Sequence, residues 1–330
     1  MRIYPLVLFY CLMYNVSQAQ VIDDLEDVLN DLVIVSGQYI TPAADASIYQ
    51  STAAWYSSAK SLDLYEVDVS LHFNALPIGS KKKVFTVRDS EFINLNIRDA
   101  STAEVPTALG GDTEQFYDFM IDGENYEMQA FEGVKESAVY HPYFQASVGL
   151  WKETDLTIRY SPKIKIDISD YTVFGVAVKH NVTQYFRNEN SADAFEFAVL
   201  ASYSTFDSNL LFDALELSPV DGNDASLAVI NGLTVNANAL LFQAIGSRRW
   251  SDFEVQGSFG FTSSAINYTI LGDGSTFIDL FNRTLVVLEE TRSGVKGDLG
   301  ANYYFGKVYV SSNVTFGKFM NLNVGVHYKI

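Results

Sequence analysis

The sequence predicts an all-β membrane protein: an antiparallel transmembrane β-barrel of about twelve strands (about ten to fourteen), with an N-terminal helical plug or hatch. Three observations predict it. Apolar and polar residues alternate over runs that approach or exceed the ~9–11 residues of a tilted membrane strand. Aromatic residues make up 14% of the chain, with 20 Tyr and 23 Phe, enough for girdles at two membrane interfaces. The first residues have the build of a secretory signal. A soluble sandwich would alternate too, but with strands nearer ~5–6 residues and more regularly spaced turns.

Met1-Arg2 is a short basic start, the stretch from Ile3 to Val16 is almost unbroken apolar sequence, and Ser17-Gln18-Ala19 is a small-x-small cleavage site. Residues 1–19 therefore read as a signal peptide for a chain bound for the outer membrane. The apolar run is shorter than the ~20 residues of a spanning helix, and acidic residues follow it. The one cysteine, Cys11, lies inside this signal. The mature chain can then form no disulfide, thiolate metal site or cysteine nucleophile.

Residues 20–60 do not alternate. Ile22, Leu25, Leu29 and Leu32 share one helical face, and Asp23, Asp24, Glu26, Asp27 and Asp31 occupy the others. These four apolar residues are the expected plug face, folding into the lumen or docking in the periplasm. Gly37 and Pro42 are expected to interrupt the helix, with a second helical piece over residues 44–59.

Residues 61–330 form the barrel. Tyr65, Val67, Val69, Leu71, Phe73 and Ala75 oppose Glu66, Asp68, Ser70, His72 and Asn74, so one face is apolar and the other polar. Leu156, Ile158, Tyr160, Ile164, Ile166 and Ile168 oppose Arg159, Lys163, Lys165 and Asp167, with a bulge expected at Pro162. Leu233, Val235, Ala237, Ala239 and Leu241 are set against Asn236 and Asn238. Further runs oppose Phe253, Val255 and Phe259 to Glu254, and Val295, Leu299 and Tyr303 to Lys296 and Asp298. The final run alternates through Leu322, Val324, Val326 and Tyr328 to Ile330, with His327 on the polar side. A terminal strand of this kind is what barrel assembly machinery reads, although the usual final aromatic is replaced by Ile330. The lumen-facing candidates are thus Glu66, Asp68, His72, Arg159, Lys163, Lys165, Asn236, Asn238, Glu254, Lys296, Asp298 and His327, joined by the apolar Leu200, Leu240 and Phe242.

Short turns should face the periplasm and long connections the outside. That rule fits turns near 152–154, 247–251 and 306–307, and long connections over 213–230 and 271–292. Eleven strands are evident on this walk, and even parity places a twelfth near Tyr126–Phe131. Residues 99–141, acidic and rich in turn residues, read as a long outer loop or an insert at the barrel mouth.

Three stretches carry a resemblance: residues 148–163, the run Gly175 to Val182 with Gln184-Tyr185, and residues 54–60 (Ala-Trp-Tyr-Ser-Ser-Ala-Lys). Together they resemble an uncharacterised family of Gram-negative outer-membrane barrels, a domain of unknown function. That family looks distantly like the FadL long-chain fatty-acid channels, which pair an N-terminal hatch with a barrel. The resemblance implies a plugged barrel and carries over no catalytic residue.

A net charge of −18 excludes nucleic acid as a partner, which would need clustered cations. There is no P-loop, G-x-S-x-G or H-E-x-x-H motif, no calcium-loop spacing, and no sign of a cofactor. Ser70 and His72 share a face, but no orienting partner can be named from sequence. The expected partners are outer-membrane lipid, the assembly machinery and small solutes. The expected function is non-enzymatic: passive uptake of small hydrophobic or amphipathic solutes through a barrel gated by residues 20–60. Two alternatives are a docking barrel that presents acidic loops, and an outer-membrane hydrolase.

Overall fold

The computed structural model describes residues 4–166, 169–186, 195–220, 226–289 and 291–330. Met1, Arg2, Ile3, Asp167, Ile168 and the side chain of Ile22 lie outside the described residues. In chain order the elements are α1 (Tyr4–Ser51), β1 (Val67–Pro77), β2 (Val84–Arg88), β3 (Asn96–Ile97), β4 (Thr102–Pro106), β5 (Phe116–Ile121), β6 (Glu124–Gln129), β7 (Ala138–Leu150), β8 (Thr154–Ile166), β9 (Ser169–Asn181), β10 (Glu196–Pro219), β11 (Ala228–Trp250), β12 (Phe253–Asp273), α2 (Ser275–Leu285), β13 (Thr291–Phe305), β14 (Val308–Phe316) and β15 (Asn321–Lys329).

Ten strands close on themselves, each antiparallel to its neighbours: β1, then β7 through β15, then β1 again. The wall therefore has ten strands and not twelve. The extra strand expected near Tyr126 does form, as β6, but its 6 residues are too few to cross a membrane. It pairs with β5 and touches the wall at the far end of β10, at Ser218 and Pro219. There β10 has run past the start of β9, and β6, β5 and β3 cover its free edge. Residues 99–141 thus contain β4, β5, β6 and the start of β7, joined by irregular links. Links at 151–153, 251–252 and 306–307 define one end of the barrel, the turn end; the 78–137 insert and α2 define the other, the cap end.

Strand length divides the wall into two storeys. β10, β11 and β12 run 24, 23 and 21 residues, whereas β14 and β15 have 9 each. Near the turn end the outward face is apolar and exposed: Phe197, Val199 and Tyr203 on β10, Leu240 and Phe242 on β11, Val255, Phe259 and Phe261 on β12. All ten strands contribute to this belt, including Leu71 and Phe73, Ile158 and Tyr160, and Val324 and Val326. The inward face there is mainly polar, apart from a small apolar cluster of Ala177, Ala198, Leu200, Leu241 and Ile245 against Trp55. Above a line through Tyr203 and Leu240, which are register partners, the sense reverses. Asp207, Asn236, Asn238, Asn267 and Thr269 are exposed, while Val235, Ala237, Ile266 and Ile270 are buried.

The reversal exists because α1 fills the upper storey. Leu29, Leu32 and Ile40 are buried in one cluster with Leu217, Val235, Ile270 and, from α2, Phe277 and Phe281. Of the expected plug face, Leu29 and Leu32 are buried and Leu25 packs half-buried against that cluster. α1 is also continuous. Pro42 lies inside it, and the preceding Thr41 turns its hydroxyl back to the Gly37 carbonyl at 2.6 Å. Gly37 is a point of close approach and not a break: a Cβ there would stand 3.1 Å from Leu288. The expected second helical piece stops at Ser51, and residues 52–61 continue without regular structure. Among the described residues no helix is long and apolar enough to cross a membrane.

Candidate functional site

The last turn of a helix leaves carbonyls without partners inside the helix. α1 ends inside the barrel, away from bulk water, so the wall must supply donors. Arg159 on β8 does so. One terminal nitrogen, Nη1, donates to the carbonyls of Ser51 (3.3 Å) and Ala53 (2.8 Å), and Nη2 donates to that of Ala54 (2.8 Å). From across the lumen, Lys296 Nζ donates to the Thr52 carbonyl at 2.7 Å. Two cations at a helix C-terminus also match the negative end of its dipole. Arg159 is fully buried, with its guanidinium between the rings of Trp55 (3.9 Å) and Tyr143 (4.1 Å). Gln145 Oε1 accepts from its Nε at 3.2 Å and Nη2 at 2.9 Å.

Below this clamp the chain descends toward the turn end, held at each step. Asn302 donates to the Ser57 carbonyl (2.5 Å), Lys179 Nζ to those of Ser58 (2.7 Å) and Lys60 (2.8 Å), and Asn181 to that of Ala59 (3.1 Å). The Ser58 hydroxyl donates to Glu254 at 2.5 Å. Gly175 is where the wall yields to the segment, since a Cβ there would meet the Trp55 ring at 2.8 Å. The three stretches that carry the resemblance meet here: Trp55 and its neighbours, Arg159 on β8, and Gly175 with Lys179 on β9.

The pattern of DUF6588, a family of unknown function, matches residues 1–330. The chain belongs to that family. Among solved structures it is similar to the translocator domain of the autotransporter NalP from Neisseria meningitidis, at 9% identity over 91% of this chain and 98% of that one, with a TM-score of 0.34. It is also similar to the COG4313 outer-membrane channel from Pseudomonas putida F1 (7% identity, 84% and 100% covered, TM-score 0.32). A third is the outer-membrane protease OmpT from Escherichia coli (11% identity, 83% and 100% covered, TM-score 0.30). No curated protein matches the chain in sequence.

In this DUF6588 chain the expected lumen residues divide. Asp68, His72, Arg159, Glu254, Lys296, Asp298 and His327 are buried and face inward. Glu66 sits at the turn-end rim, 3.4 Å from Lys329. Lys163 and Lys165 are exposed, and Lys163 pairs with Asp170. The register shift between Ser161 and Ile164, the bulge expected at Pro162, turns the following residues over. Asn236 and Asn238 face outward because they lie in the upper storey, where Asn236 donates to Asp207 at 2.6 Å. Leu240 and Phe242 are exposed in the belt, and of the expected apolar lumen residues only Leu200 is buried. Lys179 and Asp155, an inward pair at 2.9 Å, escaped the sequence reading. Their signal was available: Lys179 alternates with Val176 and Val178.

Two histidines also gain partners. His327 has Nδ1 3.0 Å from Asp68 and Nε2 2.9 Å from the Ser311 hydroxyl. His72 stands between Asn323 and Ser70, 3.0 Å from each. These chains of bonds tie the neighbouring strands β14, β15 and β1 together along the inner wall. Among the described residues no group of three or more His, Cys, Asp or Glu is placed to hold a metal. A cavity of about 360 Å³ lies between the descending segment and the turn end. Its walls include Tyr56, Asp68, Lys179, Glu254, Tyr304 and His327, a polar and charged lining.

The cap end is fastened separately. Asp31 is buried and accepts the backbone N–H groups of Ile93 (2.9 Å), Asn94 (2.7 Å) and Leu95 (2.9 Å). Tyr39 donates to the Glu132 carbonyl at 2.7 Å, and burial pushes its phenol pKa above the ordinary value. The Arg98 guanidinium donates to Asp118 and to Glu127, and these hydrogen bonds, Asp118 first, raise its pKa.

Proposed function

We propose that this protein is an outer-membrane barrel that admits small polar solutes when its luminal segment, residues 52–61, shifts. The belt suits lipid: nine residues of β12, Phe253 to Phe261, rise ~27 Å along the strand, which at the ~40° tilt of such strands is about 21 Å of the ~25 Å apolar band. The terminal alternating strand and the signal-like first nineteen residues support the same location. One observation carries the gating: the roof of the 360 Å³ cavity includes Trp55, Tyr56, Ser57 and Ser58, which belong to an inserted segment and not to the wall. The lining favours polar over hydrophobic solutes, since Leu240 and Phe242, which motivated the hydrophobic reading, point outward.

A shut barrel that only anchors its cap is the second reading. The density of bonds from Arg159, Lys179 and Lys296 to the segment favours it. One experiment separates the two. The hydroxyls of Ser58 and Ser247 lie 3.4 Å apart, so Ser58→Cys with Ser247→Cys, in a Cys11→Ser background, should lock the segment when oxidised. In planar bilayers the gated channel gives current steps only with the lock reduced. Equal currents in both states reject a moving segment, and silence in both supports the anchor.

A further inference from the structure

α1 enters the barrel from the cap end, the end opposite both the start of β1 and the end of β15. Ser51 lies at the height of Arg159, between the belt residues Ile158 and Tyr160. From there the ~27 residues back to Asp24 rise about 40 Å as helix, more than the whole ~25 Å band. On the cap side Asp24 accepts the Asp122 backbone N–H at 3.1 Å, and Asp31 holds residues 93–95. The outer part of α1 is thus built into the cap, clear of the belt. Below, residues 62–66 leave the lumen at the turn end, where the Tyr65 N–H donates to the Gly149 carbonyl and the Ile330 N–H to that of Val67.

Single-chain barrels keep short turns in the periplasm. On that orientation, and on the outer-membrane reading above, we infer that this barrel carries the outer part of its own α1 through its lumen and displays it on the far side of the membrane. Asp23, Asp24, Glu26, Asp27 and Asp31 cannot pass through hydrocarbon, where each charge is costly. The lumen offers what lipid does not: donors for the backbone it encloses, in Arg159, Lys179, Asn181, Lys296 and Asn302. The Asp24–Asp31 stretch of α1 and the end of β15 therefore face opposite compartments.

The test uses single cysteines in the full chain with Cys11→Ser. Glu26 and Lys307 are both exposed, at the cap end and the turn end. A membrane-impermeant maleimide applied to intact cells should label Glu26→Cys, while Lys307→Cys should react only after the outer membrane is permeabilised. Labelling of Lys307→Cys in intact cells, or of Glu26→Cys only after permeabilisation, overturns the inference. Absence of the protein from the outer-membrane fraction instead overturns the location on which it rests, and bilayer currents bear on neither result.

Discussion

The two storeys of the wall share strands, register and the two-residue alternation, yet they are built in opposite senses. In the belt storey the outward residues of β11 are Leu240 and Phe242 and the inward ones include Gln243 and Ser247. A few residues further along, the outward positions are Asn236 and Asn238 and the inward ones Val235 and Ala237. What differs is the filling. The belt storey encloses irregular backbone, whose carbonyls require donors. The cap storey encloses a helix face of Leu29, Leu32 and Ile40, which requires apolar contact. A barrel wall takes its inner polarity from what it surrounds, and its outer polarity from the solvent at that height.

The contrast is broken most severely at the clamp. Arg159→Met keeps much of the side-chain bulk but leaves carbonyls at Ala53 and Ala54 without their donor, in a site with no exposure. Unpaired buried acceptors cost ~1–3 kcal/mol each, so the folded state should lose about 3–5 kcal/mol. Urea titration of the heat-modifiable folded band would read this loss. A change under about 1 kcal/mol would mean that the segment is not held as described.

Next comes a pair of substitutions on one outward face of β12. Phe259→Arg places a charge near the middle of the belt and should cost ~2–4 kcal/mol. Asn267→Arg, eight residues along the same face, is exposed above the reversal and should change stability by no more than ~0.5 kcal/mol. Equal costs measured by the same titration would remove the distinction between the storeys.

The sequence made the barrel legible because alternation survives the reversal of polarity. The same fact hid the orientation. Period two reports that a strand has two faces; it does not report which face is inside once the interior changes from polar chain to apolar helix. Asn236 and Asn238 were misplaced for that reason, and Lys163 and Lys165 because a bulge, though foreseen at Pro162, shifts the parity beyond it. The clamp was half visible: Arg159 and Lys296 stood out as inward charges. Their acceptors did not, because backbone carbonyls leave no mark on residue type. Strand number was overcounted because β6 has strand composition but its place is set by the free edge of β10, which only the fold reveals.

The smallest expected effect locates the boundary most finely. Leu240→Trp and Asn236→Trp lie four residues apart on the outward face of β11, on either side of the reversal. Both sites are surface positions, so each change should alter stability within ~0.5 kcal/mol. Indole at 240 should sit against acyl chains, and brominated lipid should quench its emission. Indole at 236, ~13 Å further along the strand, should stand in or above the headgroups and remain bright. Trp151 and Trp250, both exposed, would be replaced by Phe to clear the signal, while Trp55 stays shielded against Arg159. Quenching at both positions would raise the hydrocarbon edge into the cap storey, and the polar outer faces of Asp207, Asn236 and Asn267 would then lie in lipid, which their charge and hydrogen-bonding groups make untenable.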